Sequence, residues 1–126
     1  MTEQKQVVML VDDDPINNLV NKRLLRKYND RLSVVEYQMA YDALEHFKTD
    51  RPKPDVLLLD INMPKMNGWQ FLEEFEKIGA GELKIVMLTS SIDLSDQQKA
   101  ESLPLVSGYL TKPLNMDKIQ TIFDEM

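Results

Sequence analysis

Two continuous apolar runs in this chain, Val7–Val11 and Val56–Leu59, each end directly on aspartate. An apolar run of that length with no polar alternation reads as a strand buried on both faces, the setting of a parallel sheet covered by helices. The first run meets three adjacent carboxylates, Asp12, Asp13 and Asp14, and then Pro15. Like charges at this density repel, and the stretch contains no basic residue to offset them. A fold that accepts this arrangement must bring compensating charge from elsewhere.

The rest of the chain alternates in the same way. Asp14 before Pro15 is a helix N-cap followed by a first-turn proline. Ile16, Leu19, Val20, Leu24 and Leu25 then recur at helical spacing, and the helix ends near Tyr28. Leu32–Tyr37 reads as a second strand and Tyr41–Lys48 as a short helix with Ala43, Leu44 and Phe47 on one face. Arg51-Pro52-Lys53-Pro54 breaks it. After the strand that ends at Asp60, Met63-Pro64 and Asn67-Gly68 are loop chemistry, and Trp69–Ile78 is helical. Lys84–Leu88 reads as a fourth strand ending at Thr89-Ser90-Ser91, followed by a polar helix from Asp93 to Ser102 capped by Asp93 or Ser95. Leu105–Leu110 is a fifth strand, interrupted by Ser107-Gly108, and Asn115 caps a last helix carrying Met116, Ile119, Ile122 and Phe123. Five strands alternating with five helices predict an α/β fold, a parallel sheet with helices on both faces.

Composition narrows the class. A chain of 126 residues reads as one domain, 1–126, with no segment left for an output domain. There is no cysteine, so disulfides and thiolate metal sites are excluded. The net charge of −6 argues against nucleic acid or an anionic membrane as partner. Neither a signal peptide nor a membrane span is read, and the expected location is cytoplasmic.

In an open parallel sheet, ligands bind beyond the carboxyl ends of the strands where the strand order reverses. Four strand ends here carry chemistry: Asp12-Asp13-Asp14, Asp60, Thr89-Ser90 and Lys112. Gathered at one edge, the carboxylates need Lys112 and further positive charge. A divalent cation held by hard oxygens, Mg2+ or Mn2+, supplies it.

At these residues the sequence resembles the receiver domains of two-component response regulators. LVDDDP at 10–15, LLLDINMPKMNGW at 57–69, VMLTSS at 86–91 and SGYLTKP at 107–113 carry the resemblance, each in order after its strand and together spanning nearly the whole chain. The texture is similar to single-domain receivers of the CheY-like, Bacteroidetes type. The resemblance implies a flavodoxin-like (βα)5 doubly wound sheet of strand order 2-1-3-4-5. It implies Asp60 as phosphoacceptor, Asp13 as direct metal ligand, Asp12 as ligand directly or through water, and the Asn62 backbone carbonyl as a further ligand. Thr89 would bond the phosphoryl group, Lys112 would pair with it, Pro113 would be cis, and Tyr109 would be the aromatic switch partner of Thr89. The implied donor is a sensor histidine kinase or a histidine phosphotransfer protein. The implied output runs through the fourth helix, fifth strand and fifth helix to a downstream protein, from a monomer or a weak phosphorylation-dependent dimer. Leu103-Pro104-Leu105-Val106 departs from the small residues the family places before the SGY motif, which bears on the shape of the signalling face.

Plainer readings stand beside these. Asp14 serves as a cap, not a ligand. Tyr109 is also a reasonable core or edge aromatic. His46, between Glu45 and Lys48, reads as a solvated surface residue and not a phosphotransfer site. The scattered Met9, Met39, Met63, Met66 and Met87 read as packing. Asn62 and Ser91 flank the approach of water to Asp60. A hydrolase with an aspartyl-phosphate intermediate is the other enzyme-like reading. It wants a general acid two residues beyond the nucleophile, where Asn62 stands, and a cap domain. A receiver-like protein that works by binding alone would normally lack one of the key residues, and all are present.

Overall fold

The computed structural model describes residues 6–79, 81–90 and 92–124. Strands β1 (Val7–Val11), β2 (Ser33–Tyr37), β3 (Val56–Leu59), β4 (Lys84–Thr89) and β5 (Gly108–Thr111) alternate with helices α1 (Pro15–Tyr28), α2 (Ala40–Phe47), α3 (Gly68–Ile78), α4 (Leu94–Ser102) and α5 (Met116–Asp124). The strands form one sheet in the order β2-β1-β3-β4-β5, and every neighbouring pair is parallel. This is the doubly wound architecture expected from the alternation, with its switch point between β1 and β3.

Strand pleating divides the core in two. Met9, Val11, Leu57, Leu59, Ile85 and Met87 face Ala43, Phe47, Phe71 and Phe75 of α2 and α3. Val8, Leu10, Val56, Leu58, Val86 and Leu88 face Leu25 of α1 and Ile119 and Ile122 of α5. Each fully buried side chain of this size contributes about 1.5–3 kcal/mol relative to exposure. β3 is buried along its whole length, so Asp60 follows a strand held on both faces.

Local chemistry sets the ends of the helices. The Asp14 carboxylate accepts from the Ile16 amide at 2.9 Å, as expected of the cap. Asn67 and Gln70 form a reciprocal capping box at the start of α3, and Gly79 ends it in the left-handed region with φ 67°. Asp93, not Ser95, caps α4. β5 begins at Gly108 rather than Leu105, because Leu103-Pro104-Leu105-Val106 forms the turn that leads into it.

The structure sets the inward face of one helix and corrects one reading of the sequence. The exposed side of α1 carries Ile16 (69% exposed), Leu19 (45%) and Val20 (49%), while the sheet receives Asn18, Asn21 and Leu25. Apolar spacing located the helix but not its inward face. His46 is buried, not solvated. Its Nε2 donates to the Pro52 carbonyl at 2.9 Å and its Nδ1 shares a 2.7 Å hydrogen bond with the Tyr37 hydroxyl. Arg51 also donates to that hydroxyl, at 3.0 Å. Partners from β2 and the proline-rich loop let a polar ring pack inward.

Gly68 opens α3 against the backbone of the Asp60 segment. Its amide donates to the Ile61 carbonyl at 2.8 Å, and a Cβ at this position would lie 2.7 Å from the Asp60 carbonyl oxygen and 2.9 Å from the Ile61 Cα. Both are backbone atoms and cannot swing aside. Gly68→Ala is therefore expected to destabilise the protein by about 1–3 kcal/mol, the usual range for overpacking, read as a lower urea midpoint. An unchanged midpoint would show that this junction yields freely.

Candidate functional site

The site forms where β1, β3, β4 and β5 end. Asp12 and Asp60 follow neighbouring strands, and backbone bonds tie their positions together: the Asp60 amide donates to the Val11 carbonyl at 3.0 Å, and the Lys112 amide to the Thr89 carbonyl at 2.8 Å. Lys112 reaches across the sheet edge. Its ammonium lies 2.7 Å from Asp12 Oδ2 and 3.3 Å from Asp60 Oδ2. Asp12 and Asp60 are each 5% exposed and Thr89 is wholly buried, while Asp13 faces solvent.

Hydrogen bonds orient the two buried carboxylates. Asp12 Oδ1 accepts from the Asp14 amide at 2.9 Å, and Asp60 Oδ1 accepts from the Asn62 amide at 3.3 Å. Each aspartate therefore keeps one oxygen on backbone and gives the other to Lys112. Burial raises the Asp60 pKa above its ordinary value; Lys112 pulls it down, the charge of Asp12 pushes it up, and the balance stays upward. Burial by itself lowers the Lys112 pKa, but Asp12 and Asp60 together outweigh it and the ammonium is held above its ordinary value. The Asp60 shift is chiefly one of burial, and the Lys112 shift is that of an ammonium shared between two carboxylates.

Oxygens of Asp12, Asp13 and Asp60 lie within 4.8 Å of one another. With Lys112 counted, the cluster retains two negative charges, the charge of one divalent cation. All three donors are hard carboxylate oxygens, and exposed Asp13 leaves room for water ligands. This donor set fits Mg2+ or Mn2+.

The other expected site residues fall around this centre. Asn62, exposed, follows Asp60 in the loop. The Lys112–Pro113 peptide bond is cis. Tyr109 is half-buried on β5 opposite Met87 and packs on the core formed with α2 and α3. Ser91 lies outside the described residues. Sequence reasoning passed over Asn18, whose side-chain amide donates to the Asp12 carbonyl at 3.0 Å and the Tyr37 carbonyl at 3.4 Å, pinning the loop that carries the carboxylates. An asparagine is a poor filler for a helix interior, and that was the available signal. Trp69, given no role from sequence, donates to Asp96 of α4 at 3.2 Å and lies under Lys99, 5.0 Å from the ring centroid. The divergent Leu103-Pro104-Leu105 segment lines, with Trp69 and Leu72, a groove of ≈ 490 Å³ between α3 and α4.

The sequence pattern of the response regulator receiver domain matches residues 8–124. Among curated proteins, the transcriptional regulatory protein GlrR of Escherichia coli is 29% identical over 125 residues, 99% of this chain and 27% of that protein. The sensor histidine kinase CheAY of Helicobacter pylori is 26% identical over 117 residues, 92% of this chain and 14% of that protein. The chain thus spans less than a third of the length of these curated relatives. Among solved structures, a two-component response regulator from Cytophaga hutchinsonii superposes with a TM-score of 0.85 at 28% identity, covering 98% of this chain and 97% of that one. One from Legionella pneumophila gives 0.81 at 27% identity, covering 94% and 95%.

Two outcomes follow from the charge balance. The folded protein holds the Asp60 proton to higher pH than the unfolded chain does, so Asp60 subtracts from stability as pH rises from 3.8 through its raised folded value. Lys112 has the same sign in a higher window: its contribution is full below 10.5 and is lost as pH climbs through its raised folded value. Metal-free Asp60→Asn should therefore melt higher than the parent at pH 7, with the gain fading as pH falls toward the ordinary carboxylate range. A lower melting temperature at pH 7 would refute this balance. Magnesium at about a hundredfold excess over its Kd should add about 2.7 kcal/mol of stability. Asp13→Asn should be at least as stable without metal yet lose most of that response; retention of the full thermal shift would remove Asp13 from the ligand set.

Proposed function

The chain belongs to the response regulator receiver domain family, and from that premise we propose that it is a phosphorylation-controlled switch accepting a phosphoryl group on Asp60. The convergence of Asp12, Asp13, Asp60 and Lys112 from three strand ends is the observation that carries this reading. The donor is a histidine kinase or a histidine phosphotransfer protein, and the setting is cytoplasmic. Ile16, Leu19 and Val20 on exposed α1, directly after the carboxylates, offer an apolar surface on which such a donor can seat.

A carboxylate is a weak nucleophile toward a phosphoryl group because both are negative. Positioning and charge neutralisation are the main tasks. Asp12, Asp13, Asp60 and the Asn62 carbonyl would hold Mg2+, which would supply positive charge to offset that of the carboxylates and the phosphoryl group. An Asp60 oxygen attacks phosphorus as the bond from phosphorus to the donor histidine nitrogen breaks. The electron pair leaves on that nitrogen, and an acyl phosphate remains on Asp60. Lys112, already shared between Asp12 and Asp60, pairs with a phosphoryl oxygen. Thr89 donates its hydroxyl to another.

The signal then leaves through α4, β5 and α5. Movement of Thr89 toward the phosphoryl group shifts the β4–α4 loop and opens room beside β5 that the Tyr109 ring can take. A cleft of ≈ 220 Å³ lined by Ala100, Val106 and Tyr109 supports this route. Two packings separated by a few kcal/mol can be exchanged by one charge-assisted contact.

Acetyl phosphate with magnesium should add one phosphoryl group, read as a mass shift, and Asp60→Asn should abolish it. Undiminished labelling of that variant would displace Asp60 as the acceptor. Thr89→Ala should still accept the group, more slowly, while NMR shifts at Tyr109 and residues 93–102 on adding beryllofluoride and magnesium shrink. Shifts as large as in the parent protein would send the signal by another route.

A further inference from the structure

Between α1 and the sheet, beside the buried carboxylates, lies a cavity of ≈ 10 Å³ whose lining includes Asp12, Asn18, Asn21, Leu58, Asp60 and Leu88. Its volume is about that of one solvent probe, so it admits a single small molecule and nothing larger. Two asparagines face it from α1, Asn18 at 1% and Asn21 at 8% exposure, where a helix against a sheet ordinarily presents apolar residues. The two hydrogens of the Asn18 amide go to the carbonyls of Asp12 and Tyr37. Its Oδ1 is buried with no hydrogen-bond partner. A carbonyl oxygen can only accept, so its missing partner is a donor, and buried polar atoms of this kind are satisfied by protein or by ordered water.

We infer that this cavity is a binding site for one water molecule, and that Asn18, which holds it, is a positioning residue for the Asp12–Asp60 site. Water is the donor of the right size. One of its hydrogens meets Asn18 Oδ1, and the other is free for the carboxylate side of the cavity, which accepts only. Asn21 supplies a second amide to fix its orientation. Held so, the water supports the carboxylates from the side away from solvent, and Asn18 fixes the Asp12 backbone in the same step. The positioning role rests on the reading of Asp60 as phosphoacceptor; the water site does not.

A crystal structure of the metal-free protein should show one ordered water about 2.7–3.2 Å from Asn18 Oδ1. An empty cavity overturns the water, and so does density about 2.0–2.4 Å from the carboxylate oxygens, which marks a cation. Asn18→Leu and Asn21→Leu then test the role. Groups that orient metal ligands typically change affinity 10–100-fold, so calorimetric magnesium Kd should rise about 10-fold in each. A merely structural asparagine would change the melting temperature and leave Kd alone, so a Kd within about twofold of the parent overturns the positioning role. Asn21→Leu keeps the bonds of Asn18 to Asp12 and Tyr37, and decides the question if Asn18→Leu does not fold. If the parent protein takes no phosphoryl group, the proposed function fails, while the water and the magnesium Kd still settle this site.

Discussion

One ammonium shared between two buried carboxylates holds this site together. Lys112 stands 2.7 Å from Asp12 and 3.3 Å from Asp60, and no arrangement of one positive charge can neutralise both. Removing Lys112 would leave two buried carboxylates uncompensated, whereas removing the charge of Asp60 leaves Asp12 and Lys112 as a balanced pair. The cluster is therefore better understood as a standing demand for positive charge than as a stabilising feature. A divalent cation carries the charge that would meet this demand.

The sheet makes this possible because its stability lies elsewhere. β1, β3 and β4 are packed on both faces by aliphatic and aromatic residues, and backbone bonds between adjacent strand ends hold Asp12, Asp60, Thr89 and Lys112 in fixed relation. A few kcal/mol of repulsion at the edge can be carried by a core of this kind. Gly68 extends the logic to α3. With no Cβ, the helix starts in contact with the Asp60 carbonyl, so the loop after Asp60 is clamped from strand and helix alike.

Much of this was legible in the sequence for physical reasons. Short continuous apolar runs rich in Val and Leu read as strands buried on both faces, and runs that end on Asp12 and Asp60 place charge at a sheet edge before any pairing is known. The parallel order and the meeting of Asp12, Asp60 and Lys112 followed from that topology. What escaped were the places where polar groups pack inward. Periodicity placed Ile16, Leu19, Val20, Leu24 and Leu25 at helical spacing, yet the first three face solvent while Asn18 and Asn21 join Leu25 against the sheet. His46 was misplaced for the same reason, since its partners Tyr37 and Pro52 come from segments that meet only in the folded chain. Hydrophobic pattern is a local signal, and buried hydrogen-bond partners are long-range. Trp69 was silent because its bond to Asp96 spans two helices.

The contrast between α3 and α4 bears on how such a site could speak to the surface. α3 buries Phe71, Leu72 and Phe75 and carries a full capping box. α4 buries Ala100 alone among its described residues and exposes Leu94, with Ile92 exposed just before it. A helix with so few apolar contacts opens or shifts at small cost, which is the property expected of moving elements. Its ties to α3 are polar: the indole of Trp69 on Asp96 and the Lys99 ammonium over the same ring. Contacts of this kind can be remade at a new offset without exposing a core, whereas displacement of α3 would uncover aromatic surface. α4 is the next helix in the chain after the strand that ends at Thr89, so the helix least committed to its place lies closest in sequence to the buried edge.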